Sequence, residues 1–139
     1  MANWVKELLN NLDAHVDEVT KAKILGACGE KCPFTHLTDS TLSGIKASSK
    51  SEFEFLENLC AQWHLKREDG QYYVVFDQCY CPLVNDDTQC ASKTLCYCTF
   101  GNIKHKFKLG LGRDVQVEMQ KTILAGDDEC RFLIKLEGV

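Results

Sequence analysis

Hydrophobic residues near the start of the chain recur every three or four positions, which is the spacing of one face of an α-helix. The first run covers residues 4–12 and contains Trp4 and Leu8. A second helix is expected to begin at Asp13 or Asp17 and to stop at Gly29, since glycine commonly ends helices. The pattern therefore predicts two N-terminal helices.

Two further helices are predicted later in the chain. One begins near Ser51, because Ser51 and Glu54 have the spacing of a capping box. Its apolar face would consist of Phe53, Leu56, Leu59, Cys60 and Trp63. The other covers residues 94–109 and is expected to end at Gly110. Between the second and third helices, residues 37–51 are rich in Ser and Thr, and we expect an irregular segment with at most one short helix.

Two β-hairpins complete the predicted fold. Residues 65–68 and 71–76 flank Asp69-Gly70, a pair typical of two-residue hairpin turns. Apolar and polar residues alternate from Val115 towards Leu124 and again in residues 130–136, with a Gly-Asp-Asp turn between them. These elements predict one α+β domain over residues 1–139, with about four antiparallel strands packed against the helices.

Composition and charge narrow the class of protein. The chain is 45% hydrophobic and 26% charged, with a net charge of −4 at pH 7, as in ordinary globular domains. Basic residues form no stripe, so no nucleic-acid partner is expected. No apolar run is long enough to span a membrane, and no signal peptide is visible, so a cytoplasmic location is predicted. Oligomeric state is not predicted.

Cysteine is the unusual feature of the composition. The chain has nine cysteines, an odd number that cannot all pair within one molecule. Thiols in the cytoplasm are normally reduced, which argues against a disulfide framework and favours metal binding or thiol chemistry. Cys60 and Cys130 lie on predicted apolar faces and are expected to be core residues. Cys90 lies in a polar segment and is expected to be exposed.

The other six cysteines form three pairs along the chain: Cys28 with Cys32, Cys79 with Cys81, and Cys96 with Cys98. Ligands from three segments can surround a tetrahedral zinc ion. The preferred ligands are Cys28, Cys32, Cys81 and Cys96, with Cys79 and Cys98 as alternates. If residues 96 and 98 are both helical, they point about 200° apart and only Cys96 faces inward. The same thiols could instead line a pocket without metal.

Residues 79–136 also resemble a known group of proteins. The matching motifs are Cys-x-Cys-Pro, Cys-Tyr-Cys-x-x-Gly, Leu-Gly-Arg-Asp-Val-x-Val and a closing Ile-Leu-Ala-Gly-Asp-Asp-Glu-Cys-Arg-Phe-Leu-Ile. The closing block resembles the 4-vinyl reductase domain family and the L-2-amino-thiazoline-4-carboxylic acid hydrolase-like proteins. The cysteine pairs resemble a bacterial family of unknown function related to these. The resemblance implies an α+β domain that binds small molecules, sometimes with a metal, and identifies no catalytic residue.

Three classes of function remain open at this point. The first is a sensory domain that binds a small molecule or zinc, with His36 and Phe100 as candidate ligand contacts. The second is an enzyme, either a small hydrolase or a thiol-redox protein. Cys96 and Cys98 are the best thiols for such chemistry, because they lie beside Lys93 and near a predicted helix start. The third is a scaffold whose cysteines only pack.

Overall fold

The computed structural model describes residues 3–31, 37–77 and 93–136. These ranges contain α1 (Asn3–His15), α2 (Glu18–Glu30), α3 (Asp39–Ser48), α4 (Glu52–Gln62), β1 (Leu65–Glu68), β2 (Gln71–Phe76), α5 (Cys96–Leu111), β3 (Gln116–Lys121) and β4 (Cys130–Lys135). Short 3₁₀ turns, Lys93–Leu95 and Ile123–Ala125, precede α5 and β4. The predicted α+β fold is confirmed. None of the helices in the described ranges combines the length and apolar character needed to cross a bilayer.

Side-chain caps fix where the helices begin. The Asp17 carboxylate accepts the Thr20 amide N–H at 2.7 Å, so α2 begins after Asp17 rather than Asp13. Ser51 caps α4 as predicted, accepting the Glu54 amide N–H at 3.1 Å. Thr38 caps α3 in the same way. Residues 37–51 were predicted to be irregular with at most one short helix, and the structure has one helix of ten residues there.

Two glycines that were predicted to end helices lie inside them instead. α2 continues through Gly29 to Glu30, and α5 continues through Gly110 to Leu111. A Cβ on Gly110 would lie 2.4 Å from the Phe55 ring, so this position is glycine because of packing against α4. The helix ends instead at Gly112, which adopts a left-handed conformation with φ of 74°.

The four strands form one antiparallel sheet in the order β1-β2-β4-β3. Asp69 and Gly70 have φ values of 51° and 78°, which the tight turn between β1 and β2 requires. The predicted pairing of the last two strands is confirmed, but β3 ends at Lys121 and does not reach Leu124. A register irregularity between Met119 and Lys121 interrupts the ladder just before the 3₁₀ turn.

One face of the sheet packs against α4 and α5, and α3 packs against these two helices. Phe132 and Val74 are fully buried at the centre of this face, beside Phe107 of α5. Phe55 rather than the predicted Phe53 is buried on α4, and Phe53 is 59% exposed. Leu133, predicted to alternate with the apolar positions, is also buried, because β4 is a central strand.

The N-terminal helices contribute less to the core than their apolar spacing predicts. Leu9 and Leu25 are buried in a smaller cluster with Leu95. Trp4, in contrast, is 70% exposed, and Leu8 and Val19 are also largely exposed. Only part of each apolar pattern therefore faces the protein interior.

Candidate functional site

Polar contacts fix the start of α5 against the N-terminal helices. The buried Thr94 hydroxyl donates to the Asp13 carboxylate, which also pairs with the Lys21 ammonium at 3.2 Å. Lys21 is buried and also pairs with Glu18. These hydrogen bonds, to Glu18 and then to Asp13, raise the pKa of Lys21. The network positions the first turn of α5 relative to both α1 and α2.

α2 and α5 cross with their backbones in direct contact. A Cβ on Gly101 would lie 2.1 Å from the Gly26 carbonyl oxygen, and one on Gly29 would lie 1.9 Å from the Cys98 carbonyl oxygen. Both positions therefore require glycine. The buried Asn102 side chain also donates to the Gly29 carbonyl at 2.9 Å. The crossing places the Cys28 end of α2 beside the first turns of α5.

Cys96 and Cys98 occupy different sides of α5. The helix begins at Cys96, so both residues are helical, which is the condition under which only Cys96 was expected to face inward. Cys98 is half-buried at the crossing with α2, and Cys96 is buried on the side facing the sheet. The prediction that Cys96 is the inward-facing thiol is confirmed.

Cys96 forms a thiol pair with Cys130 at the start of β4. The Cys96 thiol hydrogen-bonds to the Cys130 sulfur. The Ile123 amide N–H donates to the same sulfur at 3.3 Å. The hydrogen bond from Cys96, and then that from Ile123, lower the pKa of Cys130 to about 7, although burial and the nearby Asp127 and Glu129 act in the opposite direction. Cys130 is thus buried, as predicted, and also an acidic thiol.

A small cleft lies where the first turns of α2 and α5 meet the end of β3. It has a volume of about 200 Å³, and its lining includes Glu18, Tyr97, Met119, Lys121, Thr122 and Asp127. The Tyr97 hydroxyl donates to Glu18 at 2.7 Å, a bond that raises the pKa of Tyr97. Asp127 accepts the Thr122 amide N–H at 2.9 Å. Neither Cys96 nor Cys130 is among the described residues that line the cleft.

The predicted zinc ligands are only partly described. Cys32, Cys79, Cys81 and the candidate ligand contact His36 lie outside the described residues. Cys28 is exposed. Across residues 3–31, 37–77 and 93–136, no three or more His, Cys, Asp or Glu side chains are grouped so that they could hold a metal ion. The proposed ligand set therefore stays a prediction.

Phe100, the other candidate ligand contact, is half-buried and packs against the main core. The Lys104 ammonium lies 5.8 Å from the centre of its ring. This arrangement is a cation–π contact on the helix surface. A ligand role for Phe100 stays a prediction.

The contact between Cys96 and Cys130 could not be predicted from sequence spacing. The two residues lie on different elements, and the rest of α5, β3 and the turn after β3 separate them along the chain. Cys130 fits the pattern of a buried strand residue, so the sequence indicated a packing role for it and no reactive role. The one available signal was Cys96 itself, which is placed at a helix start on an inward face.

Comparison with known proteins gives a family but no activity. No curated protein and no solved structure matches the chain. The resemblance to the 4-vinyl reductase and thiazoline hydrolase groups is not tested by these comparisons and stays a prediction. A family model matches residues 1–138, nearly the whole chain, and the chain therefore belongs to the family of unknown function DUF6144.

Proposed function

We propose that this protein is a thiol-redox domain in which Cys96 and Cys130 are the reacting pair. The observation that supports this proposal is the hydrogen bond between the two thiols, which brings a helix-start cysteine onto a strand cysteine. Thiols become reactive as thiolates, and neighbouring donors favour the thiolate form. Ile123 supplies a second donor through its amide N–H.

The proposed reaction is thiol–disulfide exchange with a small disulfide, R–S–S–R. The Cys130 thiolate attacks one sulfur of the disulfide, the S–S bond breaks, and R–S⁻ leaves and takes up a proton. The Cys96 sulfur loses its proton and attacks the mixed disulfide, releasing a second R–S⁻. The pair loses two electrons in forming Cys96–Cys130, and R–S–S–R gains them to become two R–SH. For this step the two sulfurs must approach to about 2.05 Å.

Burial of the pair favours a sensory role over rapid turnover. Cys96 and Cys130 are only 7% and 8% exposed, so large protein partners cannot reach the sulfurs without local opening. A small oxidant is a better match for such a site. A buried pair that switches between dithiol and disulfide would change the attachment of α5 to β4.

Zinc binding at a neighbouring site is the second candidate. The observation that favours it is the contact between Gly29 and Cys98, which places Cys28 close to Cys98, one of the two alternate ligands. This arrangement makes Cys98 a better candidate than Cys96 for a ligand set that includes Cys28. Cysteine thiolates, which are soft ligands, would bind the zinc ion there, as they do in other zinc sites.

The proposed redox function can be tested by titrating the reduced protein with small disulfides. We expect a loss of two hydrogen atoms in intact mass, and peptide mapping should locate the new bond between Cys96 and Cys130. Cys96→Ser should prevent this bond. Cys60→Ser is the matched control, because Cys60 is a half-buried thiol outside the pair and the bond should still form.

Two results would contradict the proposal. One is formation of disulfides among other cysteines while Cys96 and Cys130 remain reduced in the folded protein. The other is a disulfide that appears at the same rate in Cys96→Ser. Elemental analysis of the reduced protein addresses the zinc candidate separately. In that experiment, Cys98→Ser should lower bound zinc and Cys96→Ser should leave it unchanged.

A further inference from the structure

Hydrogen bonds close residues 122–127, which follow β3, into a tight loop. The Asp127 carboxylate accepts the Thr122 amide N–H at 2.9 Å. The Asp127 amide N–H donates in return to the Thr122 carbonyl at 3.1 Å, and the Ala125 amide N–H donates to the same carbonyl at 3.1 Å. Asp127 is exposed, but the Thr122 residue that it holds is buried. An accessible carboxylate therefore fixes a buried part of the backbone.

The peptide unit between Thr122 and Ile123 connects this loop to the thiol pair. Its oxygen is the Thr122 carbonyl that accepts the two loop N–H groups. Its N–H is the Ile123 donor, whose nitrogen lies 3.3 Å from the Cys130 sulfur. A trans peptide unit is planar, and its oxygen and its N–H point in opposite directions. Because the loop holds the oxygen on one side, the N–H is directed at the sulfur on the other.

A hydrogen bond to the charged sulfur stabilises the Cys130 thiolate, which is the attacking group in the proposed exchange. Resting on the proposed redox function, we propose that Asp127 is a positioning residue for this attack. Its carboxylate closes the loop and so holds the Ile123 amide N–H on the Cys130 sulfur. Asp127 acts through the peptide unit between Thr122 and Ile123, and it is not itself a reacting group.

The hydrogen bond and the charge of Asp127 act on Cys130 in opposite directions. The hydrogen bond supports the Ile123 donor, whereas the negative charge raises the pKa of Cys130. Asp127→Asn removes the charge but keeps an oxygen that can accept the Thr122 amide N–H. Asp127→Ala removes both the charge and the acceptor. The difference between these two variants therefore isolates the hydrogen bond.

The test measures how fast hydroxyethyl disulfide, a neutral reagent, converts the reduced pair to the Cys96–Cys130 disulfide at neutral pH. Acid quenching and mass spectrometry follow the reaction. We expect Asp127→Ala to react about tenfold more slowly than Asp127→Asn, because the donor to a charged sulfur is no longer held in place. Asp127→Asn should react at least as fast as the wild type. Equal rates in the two variants would overturn the inference.

Two further variants control for charge and for folding. Asp128→Ala removes the neighbouring exposed carboxylate, which pairs with Lys121 at 3.6 Å, and it should leave the rate unchanged. Gly126→Ala alters no charge. It places a Cβ at a φ of 101°, where alanine is strained although nothing lies within 4 Å, and it should slow the reaction about threefold. This variant tests the loop even if Asp127→Ala does not fold.

Hydrogen exchange of the Ile123 amide distinguishes failure of this inference from failure of the redox function. In the reduced protein, NMR should show this amide exchanging about tenfold faster in Asp127→Ala than in Asp127→Asn. If it does so but the wild type forms no Cys96–Cys130 disulfide, Asp127 positions the donor and the redox function is wrong. If the amide exchanges equally in both variants and both form the disulfide at the same rate, the role of Asp127 is wrong and the redox function stands.

Discussion

Cys130 and Cys60 pack against the same hydrophobic core, yet their acidities shift in opposite directions. The pKa of Cys130 is lowered to about 7, chiefly by the hydrogen bond from Cys96. The pKa of Cys60 is raised, chiefly by burial, with a smaller contribution in the same direction from Glu57. Burial alone disfavours the thiolate. Cys130 becomes acidic because two donors, the Cys96 thiol and the Ile123 amide, compensate for that burial.

The comparison shows that the hydrogen-bond donors around each cysteine matter more than the cysteine's own position in the apolar pattern. Cys60 lies within α4, where its environment is set by the helix and the core. Cys130 begins β4. Its sulfur accepts hydrogen bonds from the 3₁₀ turn before β4, through Ile123, and from the start of α5, through Cys96. Cys130 is acidic because the ends of these elements converge there and bring the Cys96 thiol and the Ile123 amide N–H to one sulfur.

The largest effect is expected from disturbing the crossing that holds α5 in place. Gly101→Ala would place a Cβ 2.1 Å from the Gly26 carbonyl oxygen, so the two backbones must separate. We expect a loss of about 3 kcal/mol in the free energy of unfolding, as for severe overpacking. Chemical denaturation measures this change. The acidic titration of Cys130 should also weaken, because α5 carries its donor Cys96.

Gly44→Ala is the matched control for this substitution. Gly44 lies within α3, and an added Cβ there meets nothing within 4 Å. Alanine should stabilise this helix by about 0.5–1 kcal/mol. Equal stability of the Gly101→Ala and Gly44→Ala proteins would show that the close crossing is not required.

A second prediction removes the donor from the thiol pair. Cys96→Ala should return the pKa of Cys130 to its ordinary value or above, because burial then acts with one donor fewer. Ultraviolet absorbance of the thiolate should show a transition near pH 7 in the wild type that is absent from the variant. At pH 8 the lost hydrogen bond and packing should cost about 2 kcal/mol.

The pH dependence of stability gives an independent measurement of the same effect. The pKa of Cys130 is 9.0 ordinarily and about 7 in the folded protein, so the folded state binds the proton less tightly. The resulting stabilisation is complete above pH 9 and is lost as pH falls through 7. The wild type should therefore gain stability relative to Cys96→Ala between pH 7 and 9. Parallel curves would contradict the assigned cause.

Much of the fold follows from local sequence, whereas the site depends on contacts between distant elements. The Asp69-Gly70 turn and the Ser51 cap are encoded by neighbouring residues, and both were predicted correctly. Gly29 and Gly110 were misread as helix ends because their actual role, close packing against another element, leaves no local signal. The apolar spacing that identified α4 likewise could not tell that Phe55 rather than Phe53 is buried.

The candidate site shows the same limit more strongly. Helical geometry correctly separated the directions of Cys96 and Cys98. It could not show that Cys96 meets Cys130, because that contact depends on how α5 lies across the sheet. The Ile123 donor was also hidden, since the pattern predicted a strand continuing to Leu124 where the structure has a 3₁₀ turn.

The smallest effect is expected from substituting Cys60, the cysteine with which Cys130 was compared. Cys60→Ala removes a half-buried sulfur from α4 but introduces the best helix-forming residue. The cost should therefore be below about 1 kcal/mol. The thiolate transition near pH 7 should be unchanged, because no donor to Cys130 comes from α4. If Cys60→Ala instead removed that transition, the acidic thiol would be Cys60, and the effect of burial on the two cysteines would have been assigned the wrong way round.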